Sequence, residues 1–142
     1  MKRRHPIATL VKLATMRERK ARADLGESQV EVNEKTKTLD QKRSELLALL
    51  SETQPLPAAL ATALRLQGIA SAELMELAAE ELEASERRLH NDRRSWQEAA
   101  YDLDAKEELD AKRKREQAMV AARAAQRALD EMIAARYRGG TS

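Results

Sequence analysis

Residues 75–103 read MELAAEELEASERRLHNDRRSWQEAAYDL, and this stretch decides the fold class. Its large apolar side chains recur every seven residues, at Met75, Leu82, Leu89, Trp96 and Leu103. Seven-residue spacing of apolar side chains is typical of a coiled coil, in which they form a seam against a second helix. No proline or glycine occurs between Ala72 and Arg138, so a single long helix is predicted there.

An earlier stretch carries the same seven-residue repeat and supplies the partner helix. The repeating residues are Leu25, Val32, Leu39 and Leu46. The positions between them include Ser28, Lys35 and Lys42, so half of this seam is polar and self-association through a further helix stays open. Two long helices with a short connection form an antiparallel hairpin, and pairing the strongest positions places Leu39 near Leu82.

Proline residues mark the bend of this hairpin. Pro55 and Pro57 interrupt a helix, because proline lacks an N–H donor and its ring clashes with the preceding turn. The predicted fold class is all-α, with a single domain that forms a long antiparallel two-helix coiled-coil hairpin over residues 1–142. Its predicted parts are helix 1 over about 6–53, a bend with a short helix over about 54–71, and helix 2 over about 72–138.

Composition excludes most other classes of protein. Only 2% of the 142 residues are aromatic and 35% are charged, and Ala and Leu supply most of the apolar content. Such a chain lacks the residues of a β-rich or α/β core and is typical of long helices. It has no cysteine for a disulfide or a thiolate metal site, and no apolar run near the ~20 residues that span a bilayer. With no apolar stretch after the basic start, a cytoplasmic protein without direct membrane insertion is predicted.

The formal net charge of +2 hides an uneven distribution. Residues 1–24 carry eight basic and two acidic side chains, and residues 112–138 carry eight basic and three acidic ones. Between them, residues 25–111 carry ten basic and nineteen acidic side chains. An antiparallel hairpin brings the two basic ends together, so one end is predicted to be basic and the body acidic.

No group of residues in the sequence predicts catalysis, a cofactor or a metal site. His5 and His90 lie far apart, and Glu86 and His90, one turn apart, lack the further ligands of a helical metal site. The acidic clusters of helix 2 are interpreted as solvated helix faces without a concave pocket. Basic runs such as residues 112–115 suit phosphate contacts, but no aromatic residues accompany them for base stacking, so no nucleic-acid partner is predicted.

Leucines are concentrated around the bend, at Leu47, Leu50, Leu56, Leu60 and Leu64. They present more apolar surface than one narrow seam can bury. Two interpretations remain open. Either the short helix folds back over these leucines, or they form a docking patch for a protein partner.

Two stretches of the sequence, one near its start and one in its last third, carry residue patterns that resemble those of a known protein family. The start has Ile7, Leu10, Leu13, Arg17, Glu18 and Ala21 at helical spacing. The later segment has Trp96, Gln97, Glu98 and Ala99, then Lys106, Leu109, Arg113, Arg115 and Glu116, then Leu129, Asp130, Glu131, Ala134 and Arg136. In these residues the sequence resembles the FliJ family of flagellar export proteins, and its length and two-helix plan resemble the YscO-type proteins of virulence type III secretion.

The resemblance implies a coiled coil similar to the gamma subunit of rotary ATP synthases. In such proteins the paired termini enter a hexameric export ATPase, the bend reaches towards the membrane export gate, and secretion chaperones are handled as well. Transferred to this sequence, the bend over about 47–70 would face the gate. The ATPase-binding end would then hold Leu10, Leu13, Arg17, Glu18, Arg113, Arg115, Leu129 and Arg136.

The sequence and its resemblance together predict a non-catalytic, bacterial stalk protein of a flagellar or virulence export system. It would be cytoplasmic and peripheral to the inner membrane at the export apparatus. The first alternative is a generic coiled-coil adaptor or secretion chaperone that binds a protein partner through the leucine-rich bend. The second is a basic helical protein associated with nucleic acid.

Overall fold

The computed structural model describes residues 5–51 and 55–140. Over these ranges the chain forms two α-helices, α1 (Pro6–Leu50) and α2 (Ala58–Gly139), and no strand. The two helices pack against each other as a hairpin, which confirms the predicted all-α fold class. The predicted end of helix 1, at residues 52 and 53, lies outside the described residues.

Proline positions and local hydrogen bonds explain where the helices begin. Pro6 occupies the first position of α1, where its missing N–H has no intrahelical partner to lose. The Nδ1 atom of His5 accepts a hydrogen bond from the Ile7 N–H at 3.2 Å, so His5 caps this helix. Helix α2 begins after Pro57, whose carbonyl accepts a hydrogen bond from the Ala61 N–H at 2.9 Å.

The short helix that the sequence predicts at the bend is not a separate element. Residues 58–67 form the first turns of α2, and Gly68 continues that helix without a positive φ. A glycine inside a helix costs only about 1 kcal/mol relative to alanine. Packing against α1 offsets this cost, because Ala61, Leu64 and Gly68 are all half-buried.

The chain divides into two compact units. The terminal unit comprises Met1–Arg17 and Ala100–Ser142, and the central unit comprises Glu18–Ala99. Each unit contains a stretch of both helices, and the central unit includes the bend. Each unit therefore has its own stretch of the seam between the two helices.

In the central unit the seam buries one large and one small apolar side chain. Leu39 of α1 and Ala78 of α2 are only 6% and 7% exposed. Polar pairs join the two helices along the same unit: the Lys35 Nζ lies 3.0 Å from the Glu81 Oε2, and the Ser28 hydroxyl hydrogen-bonds Asp92. The register that pairs Leu39 with Leu82 stays a prediction.

The terminal unit is paired over only part of its length. Ala14 of α1 is 1% exposed, and half-buried residues of α2 continue as far as Arg113. Every described residue beyond it, over 114–140, is exposed. At 1.5 Å per residue, this last part of α2 is a single helix of about 40 Å.

Replacing Gly26 with alanine is expected to stabilise the central unit by about 1 kcal/mol. Gly26 lies inside α1, and no atom lies within 4 Å of the position that a Cβ would take. Alanine is the better helix former and restricts the unfolded chain more than glycine does. Urea unfolding followed by the fluorescence of Trp96, the only tryptophan, measures this change. The reverse substitution Ala23→Gly, at an exposed site of α1, should lower stability by a similar amount, and an unchanged midpoint for Gly26→Ala would contradict the prediction.

Candidate functional site

Side chains of both helices line an apolar groove at the bend, within the central unit. The groove holds about 560 Å³ between the end of α1 and the start of α2. Arg65 is the charged residue of its lining, and the large apolar residues are Leu46, Leu49, Leu50, Leu56, Leu64 and Ile69. A concave apolar surface of this kind suits the apolar side chains of a protein partner.

The predicted leucine patch is divided by this groove. Leu50, Leu56 and Leu64 line it, whereas Leu47 and Leu60 lie outside its lining and are 66% and 54% exposed. Lining the groove does not bury these leucines, because Leu50 and Leu56 are 69% and 38% exposed and only Leu64 is half-buried. The sequence prediction omits Ile69 because it ends a helix at Gly68, and the continuous helix α2 brings Ile69 to the groove.

Polar side chains of the seam bind each other across the central unit. The hydroxyl of Ser28, a residue only 3% exposed, donates a hydrogen bond to Asp92. Glu31 accepts hydrogen bonds from Ser85 at 3.4 Å and from Arg88 at 2.6 Å. The sequence prediction treats this half of the seam as weak and does not identify the partners of its polar residues. An acidic residue such as Asp92 at a seam position of the opposite helix could have indicated a hydrogen-bond acceptor for Ser28. The contacts fix the register, because a slide of one turn would separate every pair.

Trp96 and Glu18 form a buried hydrogen bond in the central unit. The indole Nε1 of Trp96 donates to the Glu18 Oε1 at 3.0 Å, and Arg22 donates to the same oxygen. The Trp96 hydrogen bond is the main cause that lowers the pKa of Glu18 below its ordinary 4.5; burial opposes this and Arg22 adds to it. Glu18 is 5% exposed, so the structure places it in the seam and not on an open face of the predicted ATPase-binding end.

Acidification is expected to destabilise the central unit through Glu18. A carboxyl group whose pKa is lower in the folded chain stabilises the fold fully above its ordinary, unfolded-chain pKa. That contribution to stability is lost as the pH falls through the pKa that Glu18 has in the folded chain. The urea midpoint, followed by Trp96 fluorescence, should therefore drop between about pH 6 and pH 3, and drop less in Glu18→Gln. An exposed control, Glu34→Gln, should keep the wild-type loss, and an equal loss in Glu18→Gln would refute the assignment.

In the terminal unit, the predicted ATPase-binding residues differ in how they are presented. Leu10 and Leu13 are each 45% exposed, and Arg17 is exposed. Arg113 is mostly buried and pairs with Asp110, with the Nη2 atom 2.9 Å from the Oδ1. The Arg113 hydrogen bond is the main cause that lowers the pKa of Asp110, followed by the hydrogen bond from Lys114. The charge of Arg113 is therefore largely satisfied within α2.

The remaining predicted residues lie on the single helix at the end of α2. Arg115, Leu129 and Arg136 are all exposed. Leu129 and Arg136 border a shallow groove together with Met132 and Ile133. This part of the terminal unit therefore offers both charge and apolar surface to a partner.

The acidic and histidine side chains of α2 form no metal-binding cluster over the described residues. Glu86 and His90 border a shallow surface pocket with Arg87 and Asn91. Within residues 5–51 and 55–140, no group of three or more His, Cys, Asp or Glu side chains could hold a metal ion. Across the same two ranges, neither helix has a stretch apolar enough to cross a membrane.

These features define a class of protein, the helical coiled-coil hairpin with an apolar bend and a basic, single-helix end. A family model described as the flagellar FliJ protein matches residues 2–142, and the chain belongs to this family. The resemblance seen at the two ends of the sequence is thereby confirmed, and the family places the chain generally in flagellar export. Searches of the curated proteins and of the solved structures gave no significant match.

Proposed function

We propose that this protein is a non-catalytic central stalk whose terminal end enters a hexameric export ATPase. The observation that carries the proposal is the single helix over residues 114–139, in which every residue is exposed. A helix about 10–12 Å across fits a ring pore that a packed domain would not. Membership of the flagellar FliJ protein family supports an export role for this end.

The charge of the single helix supports a ring partner with an acidic lining. Residues 114–138 carry six basic and three acidic side chains. Positive charge on one partner and negative charge on the other accelerate association and set its orientation. A stiff helix also presents different side chains to each subunit of a ring. Such a helix favours different conformational states around the ring, which is how a stalk without catalytic groups would stimulate ATP hydrolysis.

Charge reversal at the terminal end is expected to reduce stimulation of a cognate hexameric ATPase by about tenfold, which corresponds to about 1.4 kcal/mol of coupling. Arg17→Glu combined with Arg115→Glu changes two exposed residues of the terminal unit. Arg113 is left intact because its reversal would break the ion pair with Asp110. Arg93→Glu, at an exposed site of the central unit, is the matched control and should stimulate normally. A purified protein that neither binds nor stimulates the ATPase would overturn the stalk proposal.

The bend of the central unit would then face the membrane export gate. Its apolar groove supports a protein partner there, and the same surface would serve for secretion chaperones. In this arrangement the protein is cytoplasmic and peripheral to the inner membrane. The gate and the ATPase would then bind different units of one molecule, which would join the two machines.

The groove also favours the alternative function, that of an adaptor or secretion chaperone acting through the bend alone. Leu50→Lys separates the two proposals, because Leu50 lines the groove and is 69% exposed. A stalk with this substitution should lose its gate partner and still stimulate the ATPase. If the protein is an adaptor, Leu50→Lys should abolish binding of its protein partner. In that case the wild-type protein should not change the rate of ATP hydrolysis.

A further inference from the structure

The single helix at the end of the terminal unit has large apolar side chains in solvent. Leu129, Met132 and Ile133 are 50%, 70% and 59% exposed. Helices in proteins owe most of their stability to the packing of an apolar face. Over residues 114–140, where every described residue is exposed, the chain itself provides no such packing.

Charged residues occupy only one side of this helix. Between 118 and 135 the charged residues are Arg123, Arg127, Asp130 and Glu131, and their spacing of four, three and one places them on one face. The remaining face is wide and uncharged, and its middle line runs through Ala118, Ala122, Ala125, Leu129 and Met132. A face of this width matches a buried helix–helix contact.

The apolar line changes in size along the helix, and this selects its partner. It begins with Ala118, Ala122 and Ala125 and ends with Leu129 and Met132. In an antiparallel pair of identical helices, Ala125 meets Leu129 of the other copy and Ala122 meets Met132. Large side chains then fill the space beside small ones. A parallel pair would set large against large and small against small, and would leave a gap.

Charge also permits such a pair. No charged residue of 118–135 falls on the line of contact itself. Arg123, Arg127, Asp130 and Glu131 lie on the side of the helix that faces away from the contact, so the centre of the contact is uncharged. Side-chain size, and not charge, therefore selects the antiparallel orientation.

We propose that a second copy of this chain covers the face, with the two α2 helices antiparallel over residues 118–135 about a two-fold axis near Arg127. The contact is about 27 Å long at 1.5 Å per residue. A contact of that length lies at the small end of specific interfaces, so the dimer is reversible, with a dissociation constant of about 10 μM. The dimer does not depend on the proposed stalk function. In the dimer, the terminal helix of each chain is covered by the other copy.

The oligomeric state of the full chain tests the proposal. Sedimentation equilibrium between about 1 and 200 μM should show a monomer–dimer equilibrium, with the midpoint near the dissociation constant. Ala125→Lys places a charge in the centre of the contact and should raise the dissociation constant at least tenfold. Ala134→Lys is the matched control on the charged face and should leave it unchanged. A chain that stays monomeric at about 200 μM, or an Ala125→Lys variant that dimerises normally, would overturn the proposal. So would a dimer that is lost in Leu50→Lys, since the bend would then be the interface.

Cross-linking tests the orientation, because the chain has no cysteine of its own. A single cysteine at Ala128→Cys lies beside the two-fold axis and should link to its own copy with a short thiol reagent. Ala121→Cys, one heptad earlier on the same face, should not link to itself, because the two thiols lie about 18 Å apart along the helices. It should link instead to a chain carrying Ala135→Cys. Equal self-linking at both sites would indicate a parallel pair and overturn the antiparallel assignment.

Discussion

Replacing Leu39 with alanine is expected to lower the free energy of unfolding of the central unit by about 3 kcal/mol. Leu39 is 6% exposed and is the largest side chain among the buried residues of the described chain. Its removal leaves a cavity in the seam of the central unit. A seam one side chain deep has no second layer that could collapse into the gap. Urea unfolding followed by Trp96 fluorescence reads this unit directly.

A matched control comes from Leu47 on the same helix. Its side chain is 66% exposed, so Leu47→Ala should change the free energy of unfolding by less than about 0.5 kcal/mol. The same chemical change thus has different effects at two positions eight residues apart. Equal losses in the two variants would show that helix propensity, and not seam packing, dominates the stability of α1.

The heptad pattern predicts which residues belong to the seam but leaves the register of the two helices open. The structure places all nine predicted seam residues among the buried or half-buried ones; they are Leu25, Val32, Leu39, Leu46, Met75, Leu82, Leu89, Trp96 and Leu103. A slide of one helical turn preserves the pattern of any heptad repeat, so the repeat alone leaves the register open. Small residues and specific polar pairs decide it, as between Ser28 and Asp92.

The bend and the terminal residues show a different limit of sequence reasoning. Gly68 predicts a helix end, yet packing of the first turns of α2 against α1 outweighs its low helix propensity. Glu18 looks like a surface charge in the sequence, yet Trp96, far away along the chain, makes it a seam residue. Both outcomes depend on contacts between distant residues, which single-sequence patterns do not contain.

The central unit and the end of α2 differ in what holds them. Hydrogen bonds such as those of Glu31 hold the two helices of the central unit in one register. The described residues after Arg113 are all exposed, and the apolar face of the helix is exposed with them.

Replacing Ala122 with proline is expected to abolish the function of the single helix and spare the hairpin. Proline inside a helix removes a hydrogen bond and clashes with the preceding turn, at a cost of about 3 kcal/mol. No tertiary packing opposes that cost over the described residues after Arg113, so the helix should melt beyond the substitution. Circular dichroism at 222 nm should then lose about a tenth of its amplitude, since residues 123–139 are a small part of the two helices. The urea midpoint of the central unit should stay unchanged, whereas stimulation of the cognate ATPase should fall at least tenfold if this helix enters the ring.

Ala58→Pro is the matched control, because the first position of α2 tolerates proline. It should preserve the ellipticity at 222 nm, the urea midpoint and the stimulation of the ATPase. Full ATPase stimulation by an Ala122→Pro chain that has lost this ellipticity would show that the ring does not bind the helix.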